Sequence, residues 1–143
     1  MNENATRVYE IREYQRNMEA KARIIIVDDN LYFREGMKLL IELEGIGEVI
    51  AEAENGREFL DLLVKLKPDL VLMDIEMPLM GGIEATQRAL AIRPGLKILA
   101  ITMFNDNDNY TGILNAGAKG LVIKTVGISE LKSAINATIN LIS

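Results

Sequence analysis

With no cysteine and no histidine among its 143 residues, the chain has no disulfide framework, no thiolate or imidazole metal site, and no Ser-His or Cys-His catalysis. Its apolar content of 49% is enough for one buried core, while the length is too short for two comfortable domains. A net charge of −5 is a poor electrostatic match for nucleic acid, and no apolar run reaches the length of a membrane span. The start, Met1 to Asn4, lacks the basic and apolar regions of a signal peptide, so a soluble cytoplasmic domain is expected.

Residues 1–20 are highly charged and differ in character from the rest of the chain, which divides into a 1–20 extension and a 21–143 domain. Val8, Ile11, Tyr14 and Met18 fall at three- and four-residue spacing. That spacing fits an amphipathic helix that docks on the domain or pairs with a partner; the alternative is a solvated extension.

From Ala22 onward strand and helix patterns alternate. Arg23–Val27 is a β-branched strand, followed by a helix over Tyr32–Glu42 that ends at Gly45 and Gly47. Glu48–Ala53 alternates apolar and acidic residues, as a half-exposed edge strand does. Asn55-Gly56 turns the chain into a helix over Arg57–Leu66, closed by Pro68. Leu70–Met73 is the third strand, Ile83–Ile92 the next helix, and Lys97–Ile101 the fourth strand. A helix near Asn107–Ala116 closes at Gly117 and leads to the strand Leu121–Ile123. A last helix runs over Ser129–Ile142, started by Ser129-Glu130. Five strands alternating with five helices predict a doubly wound parallel sheet. The most apolar strands, the first, third and fourth, belong at its centre.

Four of these strands end on residues suited to phosphoryl chemistry: Asp28-Asp29, Asp74, Thr102 and Lys124. Sites in open parallel sheets form outside the carboxyl ends of the strands. Side by side, these ends would bring three carboxylates, a hydroxyl and an ammonium into one crevice. Clustered carboxylates repel unless a cation shares them, and an all-oxygen ligand set suits Mg²⁺. The site therefore reads as one carboxylate accepting a phosphoryl group beside a metal. Taken singly, each residue has a plainer reading: acid pairs favour turns, Thr is a common strand residue, and a Lys at a strand end is usually solvated. Their joint placement at four strand ends is what favours the site. Met73, Met77, Met80 and Met103 near it read as packing material, since thioethers suit soft metals.

The spacing of Asp28-Asp29, Met73-Asp74-Ile75-Glu76-Met77-Pro78-Leu79-Met80-Gly81-Gly82, Thr102, Ala116-Gly117-Ala118 and Lys124 resembles response-regulator receiver domains of two-component signalling, from about Ala22 to Leu141. Val27-Asp28-Asp29-Asn30, Arg34-Glu35-Gly36 and Ala51 to Gly56 are similar to the NarL/FixJ (LuxR-type) branch, whose members usually carry a C-terminal helix-turn-helix. The resemblance implies a flavodoxin-like sheet of order 2-1-3-4-5. It implies Asp74 as phosphoacceptor from a sensor histidine kinase, and Mg²⁺ held by Asp29, Asp74 and the backbone carbonyl of Glu76, with Asp28 helping through water. It further implies Lys124 pairing with the phosphoryl oxygens and Thr102 donating a hydrogen bond to them. Such a domain is a conformational switch rather than a conventional enzyme. Homodimers are common in the family, and transcription is the expected output. DNA would be bound only through an output domain, of which no pattern appears before Ser143.

The chain departs from the family pattern in three places. Leu121 stands where many receivers have a switching aromatic residue, and Thr125 follows Lys124 where proline is frequent, so a trans bond is expected there. Glu76 and Phe104 occupy positions that tune phosphoryl lifetime, and Phe104 is placed to shield the group from water. Three rival functions stand beside the switch. One is the receiver part of a DNA-binding regulator, another a phosphorylation-independent interaction module on the same fold. The last is an aspartyl-phosphate hydrolase, for which Asp74-Ile75-Glu76 offers an acidic partner but the chain offers no cap domain.

Overall fold

In the computed structural model five parallel strands form one sheet in the order β2-β1-β3-β4-β5. The structure describes residues 2–19, 21–103 and 106–142. The strands are β1 (Ala22–Val27), β2 (Gly47–Ala53), β3 (Leu70–Asp74), β4 (Ile98–Thr102) and β5 (Gly120–Ile123). The helices are α1 (Glu3–Glu19), α2 (Leu31–Leu43), α3 (Gly56–Lys65), α4 (Gly82–Ile92), α5 (Asn107–Ala116) and α6 (Ile128–Ile139). The expected doubly wound sheet and its order are thus observed, with the apolar strands β1, β3 and β4 inside and β2 at an edge.

The reason lies in the strand sequences. Ile24, Ile25, Ile26 and Val27 are all buried, as are all five residues of β3 and of β4. Such strands need cover on both faces. Ile25, Val27, Val71, Met73, Ile98 and Ala100 share a core with Phe59 and Leu63 of α3, Ala85 and Ala89 of α4, and Ile113 of α5. The intervening Ile24, Ile26, Leu70, Leu72, Leu99 and Ile101 pack with Met37 and Ile41 of α2 and Ile135 of α6. Alternation along each strand therefore separates the two layers.

Four of the described helices start where a side chain satisfies one of their first free N–H groups. Asn2 Oδ1 accepts from Ala5 N–H at 2.8 Å, Asn30 Oδ1 from Phe33 N–H at 3.0 Å, Asn55 Oδ1 from Glu58 N–H at 3.0 Å, and Asp106 Oδ1 from Asn109 N–H at 2.7 Å. Gly117 closes α5 at φ 111°, a left-handed cap that suits glycine. The last helix differs from its expected bounds: its N-cap is Gly127, and it stops at Ile139, so Ile142 lies beyond it and is exposed.

Residues Glu3–Glu19 are helical. Docking on the domain is not seen for the first half of the apolar stripe, where Val8 and Ile11 are 47% and 50% exposed. Charged residues occupy most positions between the apolar ones. Tyr14 and Met18 fall outside the residues whose side chains are described.

Candidate functional site

The strand register builds the site. Val27 lies beside Met73, so Asp28 leaves β1 next to Asp74 at the end of β3. Asp74 lies beside Ile101, which puts Thr102 one residue further out, and Thr102 lies beside Ile123, which puts Lys124 next. All four predicted strand ends therefore meet at one edge of the sheet.

Carboxylate oxygens of Asp28, Asp29 and Asp74 lie within 4.8 Å of one another. Asp28 and Asp74 are buried, at 1% and 6% exposure, and Asp29 is exposed to solvent. Lys124 Nζ lies 2.6 Å from Asp28 Oδ2 and 3.6 Å from Asp74 Oδ2. The Phe33 ring faces the ammonium 4.4 Å from its centroid, a cation–π contact that adds to the hold on it. Thr102 is 1% exposed at the floor. Asp29, Asn30, Asp74, Glu76, Thr102, Met103 and Lys124 line a cleft of about 290 Å³. A larger groove lined by Glu52, Glu58, Asp61 and Leu62 lies elsewhere, on the β2 and α3 edge, and brings no such constellation together.

Electrostatics set the state of the acceptor. The Asp74 carboxyl is pushed from 3.8 up to about 7, with burial the largest cause. The charge of Asp28 pushes in the same direction, and Asp29 adds a smaller push. Lys124 and a hydrogen bond from the Glu76 backbone N–H oppose the rise without cancelling it. A carboxylate held this way is poorly compensated by the protein alone, and a hard cation shared by the three acids would restore the balance. The oxygen donors, their mutual reach and the open approach past Asp29 fit Mg²⁺.

In the loop after β3 the glycines do not make the turn: Gly81 has φ −78° and Gly82 is already helical. The left-handed residue is Leu79, at φ 67°. Gly82 is needed for a different reason: a Cβ there would run into the Asp74 carbonyl and stand 2.9 Å from Ile75 Cα. Met73 and Met80 are buried in the core, and Met77 packs against it. Met103 instead is exposed at the cleft. Phe104 lies outside the described residues. Leu121, in the place of the family's aromatic, is half-buried against the α3–α5 layer. No peptide bond among the described residues is cis.

Two residues near the site were not singled out from the sequence for what they do. Phe33 lies within the helix expected over Tyr32–Glu42, with nothing in its spacing to mark a role. Arg34 read only as part of a motif. Neither residue carries a signal of its role, because both roles are contacts to chain distant in sequence or to backbone.

The model of the response regulator receiver domain matches residues 24–136. The chain belongs to this family. It is 37% identical to the transcriptional regulatory protein DegU of Brevibacillus brevis over 117 residues, covering 82% of this chain and 50% of the relative. It is 39% identical to the response regulator GacA of Pseudomonas viridiflava, covering 79% and 53%. Among solved structures, a two-component response regulator of the LuxR family from Aurantimonas sp. SI85-9A1 superposes with a TM-score of 0.80 at 38% identity, covering 84% of this chain and 86% of that one. These relatives place the receiver in the NarL/FixJ type. The receiver spans about half the length of the curated relatives it matches.

Proposed function

We propose that this receiver accepts a phosphoryl group from a sensor histidine kinase on Asp74 and passes the event on as a change of conformation that controls transcription. The observation that carries the reading is the placement of Asp74 at a cleft floor, beside two further acids and within 3.6 Å of the Lys124 ammonium. In this reading residues 21–143 form the receiver, residues 1–20 are an extension, and the output lies in an attached domain or a second copy of the chain. The domain works in the cytoplasm.

An Asp74 oxygen forms the new P–O bond as the P–N bond to the donor imidazole breaks, the electron pair staying on nitrogen. A loose transition state of this kind needs positioning and charge neutralisation more than covalent help. Asp29, Asp74 and the Glu76 carbonyl would hold Mg²⁺, with Asp28 helping through water, and the ion when bound would supply positive charge to the transferring group. Lys124 supplies it as well: its ammonium, poised between Asp28 and Asp74, needs only a small movement to reach a phosphoryl oxygen. The Thr102 hydroxyl donates to the new anion. Phosphorylation replaces the single carboxylate charge by a phosphoryl group carrying nearly two negative charges and three acceptor oxygens, drawing Thr102 and Lys124 inward and shifting a two-state equilibrium in the loops after β3 and β4.

Intact mass after incubation with acetyl phosphate and Mg²⁺ tests this, beside Asp74→Asn and an EDTA control. One added phosphoryl group that requires both Asp74 and the metal is the expected result. Steady phosphate release from small monoesters would instead favour a hydrolase. A folded protein with neither phosphoryl gain nor Mg²⁺ binding would favour the phosphorylation-independent module.

A further inference from the structure

We infer that Arg34 is a positioning residue for the metal site, acting on the backbone of the acidic loop rather than on any ligand; the inference rests on the reading of Asp29 as a Mg²⁺ ligand. Arg34 projects from the first turn of α2 and is buried, which is unusual for an arginine. Its Nη1 donates to the backbone carbonyl of Asp28 at 2.6 Å. Its Nε donates to Glu52 Oε1 of β2 at 3.1 Å, and Glu54 Oε1 lies 3.8 Å from Nη2.

These contacts fix the Asp28–Asp29 peptide from outside the site. The Asp28 N–H already donates to the Ala53 carbonyl at 2.9 Å, so β2 holds one side of the residue and the guanidinium holds the other. The Asn30 N–H donates to Asp28 Oδ1 at 2.8 Å, and Asn30 Oδ1 caps α2. Asp29 is the one acid of the three that stands in solvent, and it takes no part in the side-chain hydrogen bonds and ion pairs that hold Asp28 among the described residues. Its position is therefore inherited from the backbone on either side of it, and Arg34 restrains the carbonyl of the peptide that joins it to Asp28.

The guanidinium acts here by shape rather than by net charge. Glu52 and Glu54 balance its charge, so it adds little repulsion toward a cation at the neighbouring acids. Its planar fork spans two acceptors on different elements, which a lysine ammonium cannot do in one fixed geometry. Outer partners that orient metal ligands typically change metal affinity by about 10–100-fold when lost.

Mg²⁺ titrated against the backbone amide resonances of the full chain tests the inference in four proteins: wild type, Asp29→Asn, Arg34→Lys and Glu52→Gln. Arg34→Lys keeps the charge and loses the fork; it is expected to raise the Mg²⁺ dissociation constant about tenfold, with the amides of Asp29 and Asn30 shifted before any metal is added. Glu52→Gln keeps the bond to the Asp28 carbonyl and only weakens its anchor from a charged to a neutral acceptor, so a smaller rise of about threefold is expected, below that range. It also serves as the folded variant should Arg34→Lys not fold. If Asp29→Asn weakens Mg²⁺ binding while both other variants bind as wild type does, the positioning role is overturned and the metal site stands. If Mg²⁺ binding shows no dependence on Asp29, the metal-site reading falls and the inference with it.

Discussion

The Lys124 ammonium lies 1.0 Å closer to Asp28 than to Asp74, at 2.6 Å against 3.6 Å, although Asp74 is the acid that the reading assigns to chemistry. All three side chains are nearly closed off from solvent. The lysine is thus the main compensation for two buried acids before any metal arrives. Breaking a buried ion pair from one side costs about 3–5 kcal/mol, because the remaining charge stays buried. Lys124→Met should therefore lose about 3 kcal/mol of stability in EDTA. Saturating Mg²⁺ should return part of that loss, since the metal meets the same acids. Urea unfolding with and without Mg²⁺ checks both; an equal loss in the two conditions would separate the lysine from the metal site.

Asp74 should make stability fall as pH rises. Its folded-state value of about 7 lies above the ordinary 3.8, so between those values the folded protein holds the proton more tightly than the unfolded chain. Stability is fully present below that window and is lost as pH climbs through it. Asp74→Asn has no charge to bury. In EDTA it should match the wild type near pH about 4 and exceed it by about 1–3 kcal/mol near pH about 8, the shift being discounted for the opposing charge of Lys124. Mg²⁺ should narrow the gap at the higher pH. A pH-independent difference between the two proteins would show that burial of the Asp74 charge is not its origin.

How far the site could be read from the sequence depends on how parallel sheets are built. β1, β3 and β4 are covered on both faces, so they appear as unbroken apolar runs, and the first polar residue after each run is forced to the sheet edge. Asp28, Asp74 and Thr102 were legible for that reason, and Lys124 by its place after the last strand. Arg34 was not: its partners are a backbone carbonyl and an acid on β2, and neither leaves a periodic trace. The stacking of Phe33 on Lys124 joins residues from opposite ends of the domain and was equally hidden. The upward push on Asp74 depends on depth of burial and on two neighbouring charges, which spacing does not measure. The end of α6 was overestimated because the apolar pattern continues through Leu141 and Ile142 after the helix has stopped at Ile139.

Thr102→Val should separate phosphorylation from its readout. Valine keeps the shape and β-branching of threonine but has no hydroxyl, and at a buried position the change should cost about 1 kcal/mol. Asp74, Lys124 and the metal ligands are untouched, so phosphoryl uptake from acetyl phosphate should continue. The amide shifts that phosphorylation produces in α5 and β5 of the wild type should be largely absent. Intact mass and amide spectra on the same sample check the pair of outcomes; a full wild-type shift would remove Thr102 from the switch.

Gly82→Ala and Gly36→Ala should have opposite signs, although both replace a helical glycine. In an open helix position alanine is favoured over glycine by about 0.5–1 kcal/mol. Gly36 of α2 is such a position, with nothing within 4 Å of an added Cβ. Gly82 begins α4 with its N–H donating to the Ile75 carbonyl at 2.8 Å, and a Cβ there would press on the backbone of Asp74 and Ile75. Backbone on both sides cannot yield as a flexible side chain would, so α4 must move off the end of β3. The clash should outweigh the helix preference, for a net loss of about 2 kcal/mol. The displaced atoms belong to the acceptor itself. A misplacement on the order of 1 Å in a reacting group costs roughly 100-fold in rate, so phosphoryl uptake should slow by about that factor in Gly82→Ala and be unchanged in Gly36→Ala. Urea midpoints and the time course of mass gain measure the two effects. If Gly82→Ala were as stable and as fast as the wild type, the close approach of α4 to Asp74 would not be what shapes the site.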